Sequence, residues 1–395
     1  MRLLFIFTLY FVFSGCNLVS AQAIDFTQLR EQYLKPQAQW PKPNLDADIT
    51  HAEITLLPEV TFPKNNPFSA AKMRLGEQLF NDPKLSRSGQ VACASCHDRD
   101  LGWADGRKLS FGHDRLNGKR NAPSIENAAF WQSLFWDGRA QTLEQQSLMP
   151  VEDPVEMNFT IAELEARINQ DQAYQKKFNQ VFGQSEITAT RIAQALATYQ
   201  RTIVSRNSAF DYFVKAGETQ DKKIKQQLQQ KLSDQALWGL HLFRTKARCI
   251  NCHSGALFSD NKFHNLGLTY YKRKREDLGR YNVTKNPDDI GKFKTPSLRN
   301  VMNSKPWMHN GVFPSIAGVL NIYNAGGFVF NKDPNDPLSP QTSKILQPLS
   351  LTSKEKKALE AFLHSITSAP AAGPHSAPDR GSTPEPRREN RRRRE

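Results

Sequence analysis

The chain has 395 residues, 38% of them hydrophobic and 23% charged, which allows two ordinary domains and argues against a fibrous or wholly disordered protein. Its formal net charge of +14 superficially suits a nucleic-acid partner. Part of that charge, however, sits in Arg387, Arg388 and Arg391 to Arg394 at the far C-terminus, and no nucleic acid is expected.

Residues 1–23 read as an export signal: Arg2 gives a positive start, Leu3 to Phe13 an apolar run, and Ala21 and Ala23 small-residue cleavage sites. The run is too short to span a bilayer comfortably. Phe13-Ser14-Gly15-Cys16 also resembles a lipobox, with Phe where Leu is usual, so a lipid anchor on Cys16 competes with cleavage at Ala21 or Ala23. Either way the expected location is the periplasm. Residues 24–65 are punctuated by Pro36, Pro41, Pro43, Pro58 and Pro63, and predict an extended lead-in wrapped over the first domain.

Helical periodicity follows at Ala70 to Phe80, at Thr160 to Asn169, and at Ile187 to Val204, where Ile192, Ala195, Leu196 and Tyr199 share a face. A charged stretch from Glu218 to Gln235 leads into an apolar helix at Ala236 to Phe243. Thr352-Ser353-Lys354-Glu355 has capping-box form and opens a helix running to about Ile366. Strand signals are few and short, so the expected fold is mainly α with long loops. The tail 369–395, rich in Pro, Ser, Gly and Arg, buries too little apolar surface to fold.

Of five cysteines, four form Cys93-Ala94-Ser95-Cys96-His97 and Cys249-Ile250-Asn251-Cys252-His253, and the fifth is Cys16. In CxxCH two thiols add to the haem vinyl groups and the adjoining imidazole is presented to the iron. A single copy would also fit a redox dithiol or part of a zinc site. Two copies in an exported chain without a spare cysteine point to two covalently bound haems c, one per half, with the cut near residues 205 to 220.

A more specific signal lies in Leu79-Phe80-Asn81-Asp82, Cys93 to Asp98, Arg120-Asn121-Ala122-Pro123-Ser124, Phe135-Trp136-Asp137-Gly138-Arg139-Ala140, Pro154-Val155-Glu156-Met157 and Thr295-Pro296-Ser297-Leu298-Arg299-Asn300-Val301. With these, about residues 66 to 367 resemble the bacterial di-haem cytochrome c peroxidase and MauG superfamily. The resemblance implies two cytochrome c-like haem domains, a peroxidatic one at 66–206 and an electron-transfer one at 207–368. It implies His113 as a displaceable distal ligand opposite His97, a ligand that the MauG branch lacks. It also implies Glu156 as the peroxide-site acid and base, Gln146 orienting peroxide, Pro150 packing beside them, and Trp136 relaying charge between the haems. Asn121 with the carbonyls of Ser304 and Pro306 resembles the family's calcium site, a hard oxygen donor set; the family usually has Thr at the position of Ser304. Taken without the resemblance, His113 is a loop histidine, Glu156 a solvated carboxylate and Trp136 a core aromatic.

The C-terminal haem splits the family. Where the peroxidases place a Met ligand this chain has Tyr323, as MauG does. A phenolate is a harder, anionic donor than a thioether, so it stabilises oxidised iron and lowers the potential. Met302, Met308, His264 and His309 remain rival ligands. Three functions stay open. The favoured one is a peroxidase, reducing hydrogen peroxide with electrons from a small cytochrome or cupredoxin, to which His113 points. The alternative, to which Tyr323 points, is a MauG-like enzyme oxidising residues of a partner protein. A plain electron carrier is disfavoured because it has no need of Glu156 and Gln146. Nothing in the residues argues against a homodimer.

Overall fold

The computed structural model describes residues 24–184 and 186–368. The signal segment with Cys16, Ala21 and Ala23, and the basic tail 369–395, lie outside the described residues.

The first helix is one the sequence reading did not expect. Asp25 accepts from the backbone N–H of Gln28 and caps α1 (Phe26–Tyr33), whose Leu29 and Tyr33, one turn apart, are buried. The lead-in is therefore not wholly extended; the carbonyl of Asn65 at its end accepts from Gln194 of the first half, and its apolar side chains turn elsewhere. Leu29, Tyr33, Trp40 and Ile54 belong instead to the hydrophobic cluster of the second half. The cause is Arg244, only 1% exposed. It donates to Glu53 at 3.0 and 2.5 Å, to the carbonyl of Pro41 at 2.6 Å and to the Tyr33 hydroxyl at 3.1 Å. Its guanidinium also lies over the rings of Tyr33 and Trp40. A desolvated cation is tolerated only with such partners, and the lead-in carries them.

The first half packs α2 (Ala70–Asn81), α3 (Leu143–Glu152), α4 (Ile161–Asn169), α5 (Gln172–Phe182) and α6 (Ala189–Arg201) around Leu79, Phe80, Leu164, Phe178, Ile192 and Leu196. Thr160 and Thr188 cap α4 and α6, matching the expected starts within two residues. The second half packs α7 (Ala209–Glu218), α8 (Lys222–Gln229), α9 (Asp234–Arg244), α10 (Tyr281–Thr284), α11 (Ile316–Asn324) and α12 (Ser353–Ser365). Its centre is an edge-to-face cluster of Phe210, Phe243, Phe258 and Phe362, with ring centroids 5.2 to 6.2 Å apart. Thr352 and Glu355 form the expected reciprocal cap of α12.

Both halves use the same device at their central helix crossing. A Cβ on Gly76 of α2 would lie 2.0 Å from the carbonyl oxygen of Ala195 on α6, and one on Gly239 of α9 would lie 2.0 Å from that of Ala358 on α12. The backbones touch because these residues have no side chain. In each half the CxxCH turn then follows the glycine-bearing helix, after Asn81 and after Arg244.

The named strands are β1 (Phe263–His264) and β2 (Phe293–Lys294), antiparallel, with Phe263 opposite Lys294 and His264 opposite Phe293. The described residues are thus mainly helical with one small sheet, as the few strand signals implied. No helix among them is long and apolar enough to cross a membrane.

Candidate functional site

The two CxxCH motifs fold alike, each as a single 3-10 turn, Cys93–Ser95 and Cys249–Asn251. The Cys93 carbonyl accepts from the N–H groups of Cys96 and His97, and the Cys249 carbonyl from those of Cys252 and His253. This local ladder turns both thiols and the imidazole of each motif to one side. His97 Nδ1 lies 3.1 Å from the Trp103 carbonyl and His253 Nδ1 lies 2.9 Å from that of Phe258. A carbonyl can only accept, so Nδ1 carries the proton and Nε2 is left as the metal-binding nitrogen. Burial lowers the pKa of both histidines and keeps them neutral, the form a metal takes.

All four thiols are free of disulfides. Burial pushes Cys93 and Cys249 up to about 12 and Cys96 to about 11, and raises Cys252 as well. Burial disfavours the charged thiolate at all four positions, and a thioether leaves the sulfur uncharged. The four positions suit sulfur converted to thioether, and so the residues present fit covalent haem.

Both motifs open on one continuous cavity of ≈1420 Å³. Ordinary ligand pockets hold about 300–1,000 Å³. The first half supplies Glu156, Gln146, Pro150, Trp136 and Asn121 to its wall, and the second supplies Tyr323, Ser304, Pro306, Met308 and His309. Gln146 and Pro150 lie one turn apart on α3, which places them on one face.

Glu156 follows the end of α3. Burial pushes its carboxyl up to about 7; the charge of Asp153 adds to the shift and the Arg139 guanidinium opposes it. The Glu156 carbonyl accepts from the His113 backbone N–H at 2.8 Å. The loop bearing His113 presses on this segment so closely that a Cβ on Gly112 would lie 2.1 Å from the Val155 carbonyl oxygen. The His113 ring itself is not part of the cavity wall; its Nδ1 is buried without a partner, and its Nε2 is 3.4 Å from Asp114.

Trp136 is half-buried, donates from Nε1 to the Asn121 carbonyl at 2.9 Å, and sits edge-on to His309 at 6.3 Å. Asn121 uses its side-chain N–H on the Arg107 carbonyl at 2.7 Å, which leaves Oδ1 as an oxygen donor, and it lines the same cavity as Ser304 and Pro306. On α11, Tyr323 faces the Cys249 and Cys252 end of the cavity; burial and those two sulfurs raise its phenol pKa. Among its rivals, Met308 and His309 also line the cavity, whereas Met302 packs on the second core and His264 is bonded to Asp260 at 2.7 Å. His309 is stacked on Phe293 at 3.4 Å, and burial lowers it to about 3.

Comparison with known proteins gives the site a family. Residues 70–220 match the family described as di-haem cytochrome c peroxidase. The cytochrome-c peroxidase IdrP1 of Pseudomonas sp. (strain SCT) is 36% identical over 353 residues, covering 82% of this chain and 87% of that protein. This chain belongs to the di-haem cytochrome c peroxidase and MauG family. The methylamine utilization protein MauG of Methylophilus methylotrophus is 36% identical over 310 residues, covering 77% and 84% of the two chains. Among solved structures, a MauG-like protein associated with microbial copper homeostasis superposes with a TM-score of 0.69 at 30% identity, covering 84% of this chain and 99% of that one. Both branches of the family are therefore represented at similar identity.

Several residues around the di-haem site escaped the sequence reading. Arg120 bridges Asp277 of the second half and Asp137 of the first, next to Trp136, with contacts of 2.6 to 2.9 Å. Arg280 donates to the carbonyls of Asp137 and Gly138. Lys294 donates to the Ser133 carbonyl at 2.7 Å and sits 3.9 Å over the Trp131 ring, and burial lowers its amine to about 7. Together they clamp the Trp136 segment between the halves. Arg120 and Lys294 lie within or beside the quoted motif segments, but nothing in their spacing shows that they reach across.

Proposed function

We propose that this chain is a periplasmic peroxidase with two haems c, one held by Cys93, Cys96 and His97 and the other by Cys249, Cys252 and His253, in cytochrome c-like domains at 66–206 and 207–368. The observation that carries the reading is the single cavity in which both CxxCH motifs meet Glu156, Gln146 and Trp136. Haem iron, when bound, supplies the redox chemistry of O–O cleavage. The chain's own residues manage protons and position. Peroxide needs a proton moved from its inner to its outer oxygen, and a carboxyl titrating near neutrality can accept the first and return it to the second. The Gln146 amide, on the wall of the same cavity, orients the substrate. Two electrons and two further protons complete the conversion of hydrogen peroxide to two waters. Electrons enter on the Tyr323 side and pass the Trp136 indole, which the Asn121 carbonyl holds in place.

In this reading His113 is the displaceable ligand, and its grip on the Glu156 carbonyl couples its movement to the acid–base group. Asn121, Ser304 and Pro306 hold a calcium ion at the junction. Tyr323, with the Cys249 and Cys252 sulfurs beside it, favours a second reading, in which oxidising equivalents from peroxide are used on a partner protein's residues. The mature protein should carry two covalent haems by mass and consume peroxide with a small uncharged reductant. Colourless or single-haem protein overturns both readings. Peroxide that oxidises protein residues without steady turnover selects the second.

A further inference from the structure

Four consecutive basic residues, Lys272 to Arg275, stand exposed on the loop between β1 and α10. Arg273, Lys274 and Arg275 also line the mouth of the haem cavity. The loop is a built platform. Thr269 Oγ1 donates to the Asp277 carbonyl at 2.6 Å, and the Asp277 N–H returns to the Thr269 carbonyl at 2.9 Å. Two turns between these ends are closed by Arg273 N–H on the Tyr270 carbonyl and Glu276 N–H on that of Arg273. Tyr270 and Lys272 adopt φ of 51° and 54°, conformations that bulky residues hold only where the surroundings fix them.

Neutralisation is incomplete and one-sided. Lys272 is paired with Asp336 at 2.7 Å, and Asp277 is engaged by Arg120. This leaves Arg273, Lys274 and Arg275 as an exposed run of three cations followed by the single carboxylate of Glu276. The same loop end reaches the inter-haem segment, because Asp277 binds Arg120 and Arg120 binds Asp137, the neighbour of Trp136. Tyr271, the aromatic that could stack on a base, is tied to Asp336 at 2.8 Å and has the Lys272 ammonium over its ring.

From this juxtaposition we infer that the 270–277 loop is the docking surface for an acidic redox protein, seated by Arg273, Lys274 and Arg275 at the mouth of the haem cavity. The inference rests on the peroxidase reading for its purpose, since one-electron donation must come from outside the chain. Clustered like-signed cations at a cavity mouth steer an acidic partner and raise its association rate, an effect that salt removes.

The test uses the full holoprotein with reduced acidic plastocyanin, basic mitochondrial cytochrome c and an oligonucleotide as probes. Plastocyanin should bind measurably in low salt, weaken steeply as salt is added, and lose about tenfold or more of its affinity to a variant carrying Arg273→Glu, Lys274→Glu and Arg275→Glu. Its kcat/KM as electron donor should fall in parallel, and by about tenfold or more beyond any fall in turnover with an uncharged small reductant, which measures any effect of the substitutions on the haems themselves. Plastocyanin affinity unmoved by the substitutions, preference for cytochrome c, or tighter charge-dependent binding of the oligonucleotide each overturns the inference. Loss of turnover with the small reductant alone would count against the peroxidase reading, and the binding measurement would still decide the docking surface.

Discussion

Replacing Glu156 by Gln removes the proposed proton carrier and keeps its size. Moving a carboxyl from 4.5 to about 7 disfavours its ionised form by roughly 3 kcal/mol, at about 1.36 kcal/mol per pH unit. A base of that strength is roughly one-tenth ionised at pH 6 and nine-tenths at pH 8, so kcat/KM for peroxide should rise about tenfold across that interval. Glu156→Gln should flatten the profile and lower the rate by about 10²–10⁴-fold, with both haems retained. Asp153→Asn, which removes the neighbouring like charge, should move the rising limb to lower pH. Stability follows with its own sign. The folded chain keeps the Glu156 proton where the unfolded chain has lost it, so stability falls as pH rises from 4.5 to about 7. The Gln variant escapes that loss and should melt higher than the parent at pH 8. Steady-state peroxide consumption from pH 5.5 to 8.5, beside melting curves at its ends, measures both. A flat parent profile, or a Gln variant with more than about a tenth of the parent activity, refutes the assignment.

Tyr323→Phe should change the optical and paramagnetic resonance spectra of the C-terminal haem and raise its potential; a His/Met charge-transfer band kept in that variant would assign the ligand to Met308 instead. Arg244→Met leaves Glu53 without its cation and frees the lead-in, and should destabilise the second half by about 3–5 kcal/mol in urea unfolding; a shift below about 1 kcal/mol contradicts the anchoring role. Chelation of the mature protein, or Asn121→Leu, should slow electron transfer between the haems without removing either, and a chelator-treated protein with no bound calcium to lose and unchanged rates would remove the ion from the scheme.

The elements legible in the sequence were those whose signal is local. Ala70–Asn81 and Ala189–Arg201 showed their buried faces as periodicity, and Thr352 with Glu355 announced a helix start through two side chains three residues apart. Helix α5 was overlooked although Tyr174 and Phe178 stand one turn apart, and α11 because its buried Ile316, Leu320 and Ile322 sit in a short run that reads equally as strand. Where the lead-in packs was not legible, because its Pro spacing describes chain conformation alone, while the docking of Tyr33, Pro41 and Glu53 depends on Arg244, about two hundred residues away.

The same division holds at the site. Two thiols and an imidazole at spacing three and one need only a single turn to face one way, so the haem-bearing residues follow from order along the chain. Their meeting in one cavity does not, since it depends on Arg120 to Asp277, Arg280 to Asp137 and Lys294 to Ser133, contacts between segments about 140 to 160 residues apart. Nor does the proton affinity of Glu156, which burial sets: a carboxyl in water and one walled off by distant apolar groups are the same letter in a sequence, and only the folded chain decides how much water each keeps.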